Sequence, residues 1–445
     1  MLKAIIQREI LEYLMSSKFL IGLGLTIVMV AMSTFINIED YQQRQQDYLD
    51  AVQNFKAPGS INIQVFRKPQ ILSTLVQGRD RELGTRLEMS YLHLPIQPSG
   101  YMGQSASQHH RYVSGFTSVD FAFVVRVVLN LMVIFLAYNT ISEERVQGTL
   151  KLTLSNPLSR GQLLLGKFIG GLFIVLGVLT IATLVALLVL VLHPVISVNW
   201  DLSIRILAIW GISALYLGAF FTLSLMISTI FNRPSVTLLV LLQIWIVIIV
   251  VYPNISIILS QNITKIPSYE ELQDRKRAIF EPYQQEHDET QKAFITMVQT
   301  GQRDEKLRKK HFELEAQRTE LHNRIDVEYS HQLTRQMRLA QNLAILSPSV
   351  LLNDVMQRLA GTDIQEYDSF MEGVKRHWQK DLERRALLYT DRDAYRESKL
   401  PEFTYIIQSP AEGIAQTLHQ WIILFLLSVI FFVSAHMVFI KKNIG

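Results

Sequence analysis

The sequence predicts an all-α integral membrane protein with six transmembrane helices, an amphipathic N-terminal helix and a large, mainly helical extracytoplasmic domain. Stretches of about 20 residues with almost no charge alternate along the chain with densely charged stretches, whereas a soluble chain mixes the two at short range. The absence of cysteine from all 445 residues excludes disulfides, thiolate metal ligands and cysteine nucleophiles.

Residues 1–18 are expected to form a short helix that lies in the membrane interface. Leu2, Ile6, Ile10 and Tyr13 share one stripe of this helix, as an interfacial amphipathic helix requires. Two glutamates in this stretch argue against a cleaved signal peptide.

Six segments have the length and apolarity to cross a bilayer, which needs about 20 helical residues. The predicted spans are residues 19–38, 119–141, 163–192, 202–230, 236–258 and 421–440. The small residues within them, glycine above all, are expected to let helices pack closely.

Basic residues in the short flanks of the spans predict their orientation. The flanks of one side carry Lys3, Arg8, Lys18, Arg145, Lys151, Arg160, Arg233, Lys441 and Lys442. The loop 193–201 on the other side has neither Lys nor Arg. Both termini are therefore expected in the cytoplasm, with residues 39–118 and 259–420 outside it, in a cell membrane that we expect to be a bacterial inner membrane.

The segment 259–420 is charged and favours helix. The turn at 300–302 is expected to reverse a long helical hairpin, and residues 347–361 are expected to form a further helix that stops at a glycine. Its 23 Lys+Arg against 26 Asp+Glu argue against a nucleic-acid partner. These charges are either a solvated helix surface or a docking surface for an outer partner, a second subunit or a substrate.

The loop 142–162 between spans 2 and 3, called the connector below, combines a helix exit, a short amphipathic piece and a turn. Gly148 interrupts helix propensity and Pro157 breaks any helix. Ser159 can cap the helix of span 3. On these features alone, the connector is either a docking element for a cytoplasmic partner or a plain interfacial link.

The run Glu144-Arg145-x-x-Gly148-Thr149-Leu150, followed by Leu154-Ser155-x-Pro157-Leu158-Ser159-Arg160 and Gly166-Lys167, resembles the signature loop of type 2 ABC exporter permeases. The stretches 67–78 and 346–362 are similar to outer segments of permeases in this class with enlarged outer domains. Permeases of the class usually have a modest loop between spans 5 and 6, so the long segment here is a departure from the pattern.

This resemblance implies that two permease subunits, identical or different, form a pathway through membrane lipid, and that the connector acts as the coupling helix against a separate ABC-type ATPase subunit. The residues then expected to touch the ATPase, or to shape the loop that touches it, are Glu143, Glu144, Arg145, Gly148, Thr149, Leu150, Leu152, Leu154, Pro157, Leu158, Ser159 and Arg160. Among them the leucines at 150, 152 and 154 are expected to fill a groove of the ATPase.

The chain is expected to hydrolyse no ATP itself. The nearest match to a phosphate-binding loop ends in Lys167-Phe168, where the motif needs a hydroxyl residue to bind magnesium. ATP and magnesium are therefore expected on the partner ATPase, and no cofactor in this chain. No metal site is expected either, because His109-His110 lacks a helical partner four residues away.

Ionisable residues within the spans are few, and Arg126 is the most notable. It is expected either to extend to the outer interface or to contact the substrate path. Asp201 and Arg205 have the spacing of a local ion pair. Spans with so few charges suit an apolar or amphiphilic cargo, although lipid-facing surfaces have the same composition.

Two other classes of function stay open at this point. One is a non-transporting signalling or scaffold protein whose outer helices bind a ligand or partner. The other is an intramembrane enzyme, which would need clustered His, Asp or Glu side chains facing one cavity.

Overall fold

The computed structural model describes residues 2–54, 63–78, 80, 86–89, 119–155, 159–193, 199–301, 304–390, 394, 398, 403–405 and 408–442. Most of this part is helical, which confirms the predicted fold class. The exception among the described residues is one antiparallel pair, β1 (Ile63–Phe66) and β2 (Arg86–Met89), with Ile63 opposite Met89. His109-His110 lies outside the described residues.

Six helical stretches are long and apolar enough to cross a membrane, and each contains most or all of one predicted span. Spans 1, 3, 4 and 6 are α2 (Ser17–Asn54), α7 (Arg160–Val191), α8 (Trp200–Ile230) and α15 (Pro410–Lys441). Span 2 joins α3 (Phe121–Phe123), a π-helical segment (Val124–Leu129) and α4 (Asn130–Ala137). Span 5 joins α9 (Pro234–Ile246), a second π-helical segment (Val247–Val251) and α10 (Tyr252–Ile263).

Two of these helices exceed their predicted spans for identifiable reasons. α2 continues to Asn54 because its polar continuation contains neither glycine nor proline. α15 begins at Pro410 because Ser409 and Glu412 form a capping box ahead of the apolar stretch.

Span 4 is the centre of the bundle. In the most apolar 18-residue stretch of span 4, 72% is buried, against 11% in span 5 and 17% in span 6. Spans 5 and 6 therefore leave wide apolar faces free for lipid or another subunit. Close packing at the centre depends on Gly171 of α7, where a Cβ would lie 2.1 Å from the ring of Phe221 on α8. The described ends of the chain and the connector lie at one end of the bundle, which we call the terminal end, where side chains of span 3 bond to the N-terminal helix, the connector and the end of span 6.

The opposite end, the hairpin end below, carries the predicted hairpin of α11 (Tyr269–Thr300) and α12 (Glu305–Ala344). The chain reverses at Gly301, whose φ of 69° is a left-handed conformation that glycine adopts without strain. His287 Nε2 and Glu315 Oε1 lie 2.7 Å apart across the two helices, and Phe294 stacks on His311. These contacts hold the two helices of the hairpin together.

α13 (Pro348–Ala360) joins the hairpin to the spans, followed by α14 (Ile364–Thr390). As predicted, α13 stops at a glycine, Gly361, with φ 68°. The two stretches with outer-segment resemblance pack together here, because the Thr362 hydroxyl donates to the Val76 carbonyl at 3.1 Å. Gly78 is required beside it, since its φ is 50° and a Cβ would lie 2.4 Å from Thr362 Oγ1.

Candidate functional site

The connector consists of two short helices, α5 (Ser142–Val146) and α6 (Thr149–Leu154), joined at Gly148. Gly148 has φ 74°, so the predicted interruption of helix is a left-handed turn. The Thr149 hydroxyl donates to the Glu144 carbonyl at 3.3 Å and holds the two helices together. The predicted amphipathic piece after the helix exit is therefore α6.

The leucines of α6 do not share one environment. Leu150 is fully buried and packs with Ile141, Leu163 and Leu225 of this chain, so it is not free to fill a groove on a partner. Leu152, by contrast, is 72% exposed. The side chain of Leu154 and residues Pro157 and Leu158 lie outside the described part of the chain.

Arg145 ties the connector to the turn between spans 4 and 5. Its guanidinium donates to the Thr229 carbonyl at 3.3 Å and to Asn232 Oδ1 at 2.9 Å. Glu143 accepts hydrogen bonds from Asn139 and, at 3.2 Å, from Gln147. Both side chains, which are expected to contact a partner, also bond within this chain.

Three charged residues from separate elements form a buried triad at the terminal end. Lys167 of α7 donates to Glu9 Oε1 at 2.6 Å and to Glu144 Oε1 at 3.0 Å. Glu9 lies on α1 (Leu2–Leu14), so the triad joins the N-terminal helix, the connector and span 3. Burial raises the pKa of the Glu9 carboxyl, although the Lys167 ammonium pulls it down.

Sequence reasoning missed this triad. The sequence pattern places Lys167 only in an incomplete match to a phosphate-binding loop, and Glu144 among the residues expected to contact a partner. The signal was present, because a lysine in the first turns of an apolar helix needs an anionic partner when it is buried. Nothing in the sequence pairs it with Glu9, however, since the two positions are 158 residues apart.

The end of the connector fixes the start of span 3 to the end of span 6. Ser159 forms the predicted cap of α7, and Gln162 completes a capping box. The Arg160 guanidinium donates to the Ile440 carbonyl at 2.7 Å and the Lys442 carbonyl at 3.2 Å. Arg160 thereby satisfies carbonyls that the last turn of α15 leaves without helical partners.

Within the bundle, Arg126 lies in the π-helical segment of span 2. The Tyr216 hydroxyl donates to the Arg126 carbonyl at 3.2 Å and accepts from Asn130 Nδ2 at 2.5 Å. Asp120 is engaged elsewhere, because its carboxylate accepts from the Phe123 and Gln77 main-chain N–H groups at 2.8 and 3.0 Å.

The expected ion pair of Asp201 and Arg205 is wrong. The Arg205 guanidinium donates instead to the carbonyls of Leu359, at 2.8 Å, and Gln408. Two carbonyl acceptors at the end of α13 and before α15 satisfy it more completely than one exposed carboxylate would. Arg205 therefore anchors the hairpin end to span 4.

Comparison with known proteins agrees with this architecture. The chain is similar to two relatives named "Probable ABC transporter permease protein NosY". The protein from Stutzerimonas stutzeri is 45% identical over 71 residues, 15% of this chain and 26% of the relative. That from Pseudomonas aeruginosa is 43% identical over 86 residues, 18% of this chain and 31% of the relative. The matched part thus spans less than a third of each relative.

A family model described as "ABC-2 family transporter protein" matches residues 3–444, nearly the whole chain. The six spans are consistent with this match, and together with the permease relatives it supports an ABC transporter permease subunit. This chain belongs to the ABC-2 family of transporter proteins.

Proposed function

We propose that the chain is the permease subunit of an ATP-driven exporter, and that the connector passes motion from a separate ATPase subunit to the spans. The observation that carries this proposal is that α6 presents Leu152 outward while Glu144 and Arg145 fix the connector to the bundle. A docking element can transmit a displacement only if its attachment does not yield.

The attachments reach four elements of the bundle. Lys167 links Glu144 to span 3 and to the N-terminal helix. Arg145 reaches the end of span 4, and Arg160 reaches the end of span 6. A push on α6 would therefore move these ends together rather than bend the connector.

The docking surface is apolar and small. Val146 and Leu152, 64% and 72% exposed, are large apolar side chains on the two connector helices. Burying one such side chain in a groove contributes about 1.5–3 kcal/mol. Leu154, Pro157 and Leu158 stay predicted contributors, whereas Glu143, Glu144, Arg145, Leu150, Ser159 and Arg160 act by fixing the connector.

The remaining parts of the proposal follow from this assignment. ATP and magnesium bind to the partner ATPase, and two permease subunits form the pathway with the wide apolar faces of spans 5 and 6 available to lipid or to each other. The terminal end, which carries Lys3, Arg8 and Lys441, faces the cytoplasm of a bacterial inner membrane. The hairpin end faces outward, where its charged helices are available to a further partner.

Leu152→Asp tests the coupling role. The full chain is purified from its host membrane, and we measure whether a P-loop ATPase co-purifies with it and the ATPase activity of the complex in nanodiscs. An aspartate cannot enter an apolar groove without large desolvation, so both readouts should fall about tenfold or more. Ser155→Asp is the matched control, because it adds the same charge at an exposed polar position of the connector.

Wild-type co-purification and activity in Leu152→Asp would contradict the docking role. If no ATPase co-purifies with the wild-type chain, the coupling proposal fails, and the non-transporting scaffold function takes its place.

A further inference from the structure

The apolar stretch of span 2 contains one charged side chain, Arg126, in a π-helical segment. A charge inside the bilayer is costly, and such residues usually pair, face a cavity or serve a function. π-helical turns within α-helices also occur frequently at functional sites. The role of Arg126 therefore depends on which group pairs with its positive charge.

Arg126 has no ion pair or side-chain hydrogen bond among the described residues, and its Nε is buried. The acid nearest in sequence, Asp120, uses both carboxylate oxygens on main-chain N–H groups. The side chain as a whole is half-buried, and α13 packs against this π-helical segment at the hairpin end. The described residues therefore supply no direct ion pair or side-chain hydrogen bond to the guanidinium, although Asp120 interacts with it electrostatically at longer range.

A second unpartnered group lies one turn away. Asn130 is fully buried, and its Oδ1 lacks a hydrogen-bond partner among the described residues. Its Nδ2 is occupied by the hydroxyl of Tyr216, which itself donates to the Arg126 carbonyl. Tyr216 therefore holds both residues in place without satisfying the guanidinium or the amide oxygen.

The guanidinium of Arg126 and the amide oxygen of Asn130 define the chemistry of a ligand that could bind here. A guanidinium offers several N–H donors and a full positive charge, which suit a phosphate or carboxylate. An amide oxygen needs a donor such as a hydroxyl. Val127 and Val128 beside Arg126 are half-buried and apolar, so the surroundings suit an acyl chain rather than a free hydrated anion.

We propose that Arg126 and Asn130 form an intramembrane binding site for an anionic amphiphile, whose acidic headgroup pairs with the guanidinium and whose hydroxyl donates to Asn130 Oδ1. This inference rests on the proposed function in treating the amphiphile as a ligand of a permease. Binding itself needs neither ATP nor the ATPase, so it is measured on this chain alone and fails independently of coupling.

The test uses the full chain in nanodiscs of zwitterionic phosphatidylcholine. Titration with lysophosphatidylglycerol supplies a phosphate, a hydroxyl and one acyl chain, while lysophosphatidylcholine and inorganic phosphate are the comparison probes. Arg126→Gln should weaken lysophosphatidylglycerol binding about tenfold or more, because a hydrogen bond to a charged group is lost. Arg126→Lys should retain part of the affinity, and Asn130→Asp should weaken binding by like-charge repulsion.

Arg277→Gln is the control for general charge loss, because the side chain of Arg277 is 82% exposed on the hairpin. The affinity of Arg277→Gln for lysophosphatidylglycerol should equal that of the wild type. Equal wild-type affinities for the two lysolipids, or an unchanged affinity in Arg126→Gln, would overturn the proposal. Competition by inorganic phosphate at the same concentration would overturn it too, since the site would then hold a free anion.

Discussion

Replacing Lys167 with methionine tests whether the buried triad holds the terminal end together. Methionine keeps the length and apolar stem of the side chain and removes the ammonium that lies 2.6 Å from Glu9 and 3.0 Å from Glu144. The substitution leaves the buried carboxyl group of Glu9 and the half-buried carboxyl group of Glu144 without this cation. Removing one partner of a buried ion pair costs about 3–5 kcal/mol.

Part of this cost is relieved by protonation of Glu9. Burial already raises the pKa of this carboxyl, and Lys167 is the largest influence that lowers it. The loss of Lys167 would therefore raise the pKa of Glu9 further. We expect the unfolding free energy of Lys167→Met to fall by about 3 kcal/mol at neutral pH, and by less in acid, where Glu9 is protonated.

Reversible unfolding of the full chain in mixed micelles, followed by the fluorescence of its five tryptophans, measures this change. Lys3→Met is the matched control, because it removes the same charge from an exposed position of α1 and should change stability by less than about 0.5 kcal/mol. Adding Glu9→Gln to Lys167→Met should restore part of the loss. A loss below about 1 kcal/mol in Lys167→Met would refute the structural role of the triad.

Two further predictions concern the hairpin end. Burial and the nearby Asp363 raise the pKa of Glu366 to about 7, although Arg67 and Arg205 lower it. The folded state therefore favours the protonated carboxyl. Its contribution to stability is complete below the ordinary pKa of 4.5 and is lost as the pH rises through about 7. Glu366→Gln should therefore flatten the decline of the thermal midpoint between about pH 5 and pH 8, and an unchanged slope would contradict this assignment. Gly78→Ala should lower the free energy of unfolding by about 1–3 kcal/mol, because of the positive φ at this position and the clash of the added Cβ with Thr362. Gly24→Ala, where the added Cβ has nothing within 4 Å, should be neutral or slightly stabilising. Equal thermal midpoints for the two variants would contradict the close packing at Gly78.

The parts of the fold that the sequence predicts are those with local causes. The hairpin turn at Gly301, the stop of α13 at Gly361 and the cap at Ser159 each follow from a residue and its immediate neighbours. The pairings of charged side chains do not follow from such local causes. Lys167 meets Glu9 across 158 positions, and Arg205 reaches the carbonyls of Leu359 and Gln408 instead of the carboxylate four residues away.

The connector shows how local periodicity could have sharpened one part of the site. A helix turns by about 100° per residue, so Leu152 lies almost opposite Leu150 on α6. These two leucines therefore cannot enter one groove. The structure buries Leu150 against Ile141 and Leu163 and exposes Leu152.

This division of α6 separates two effects of mutation that would otherwise be confused. Aspartate at Leu150 would place a charge in the packed interior, so loss of transport in that variant would report unfolding as readily as lost coupling. Aspartate at Leu152 changes only the exposed face. The coupling role is thus tested at Leu152, with Leu150 as the position where stability and coupling are expected to fail together.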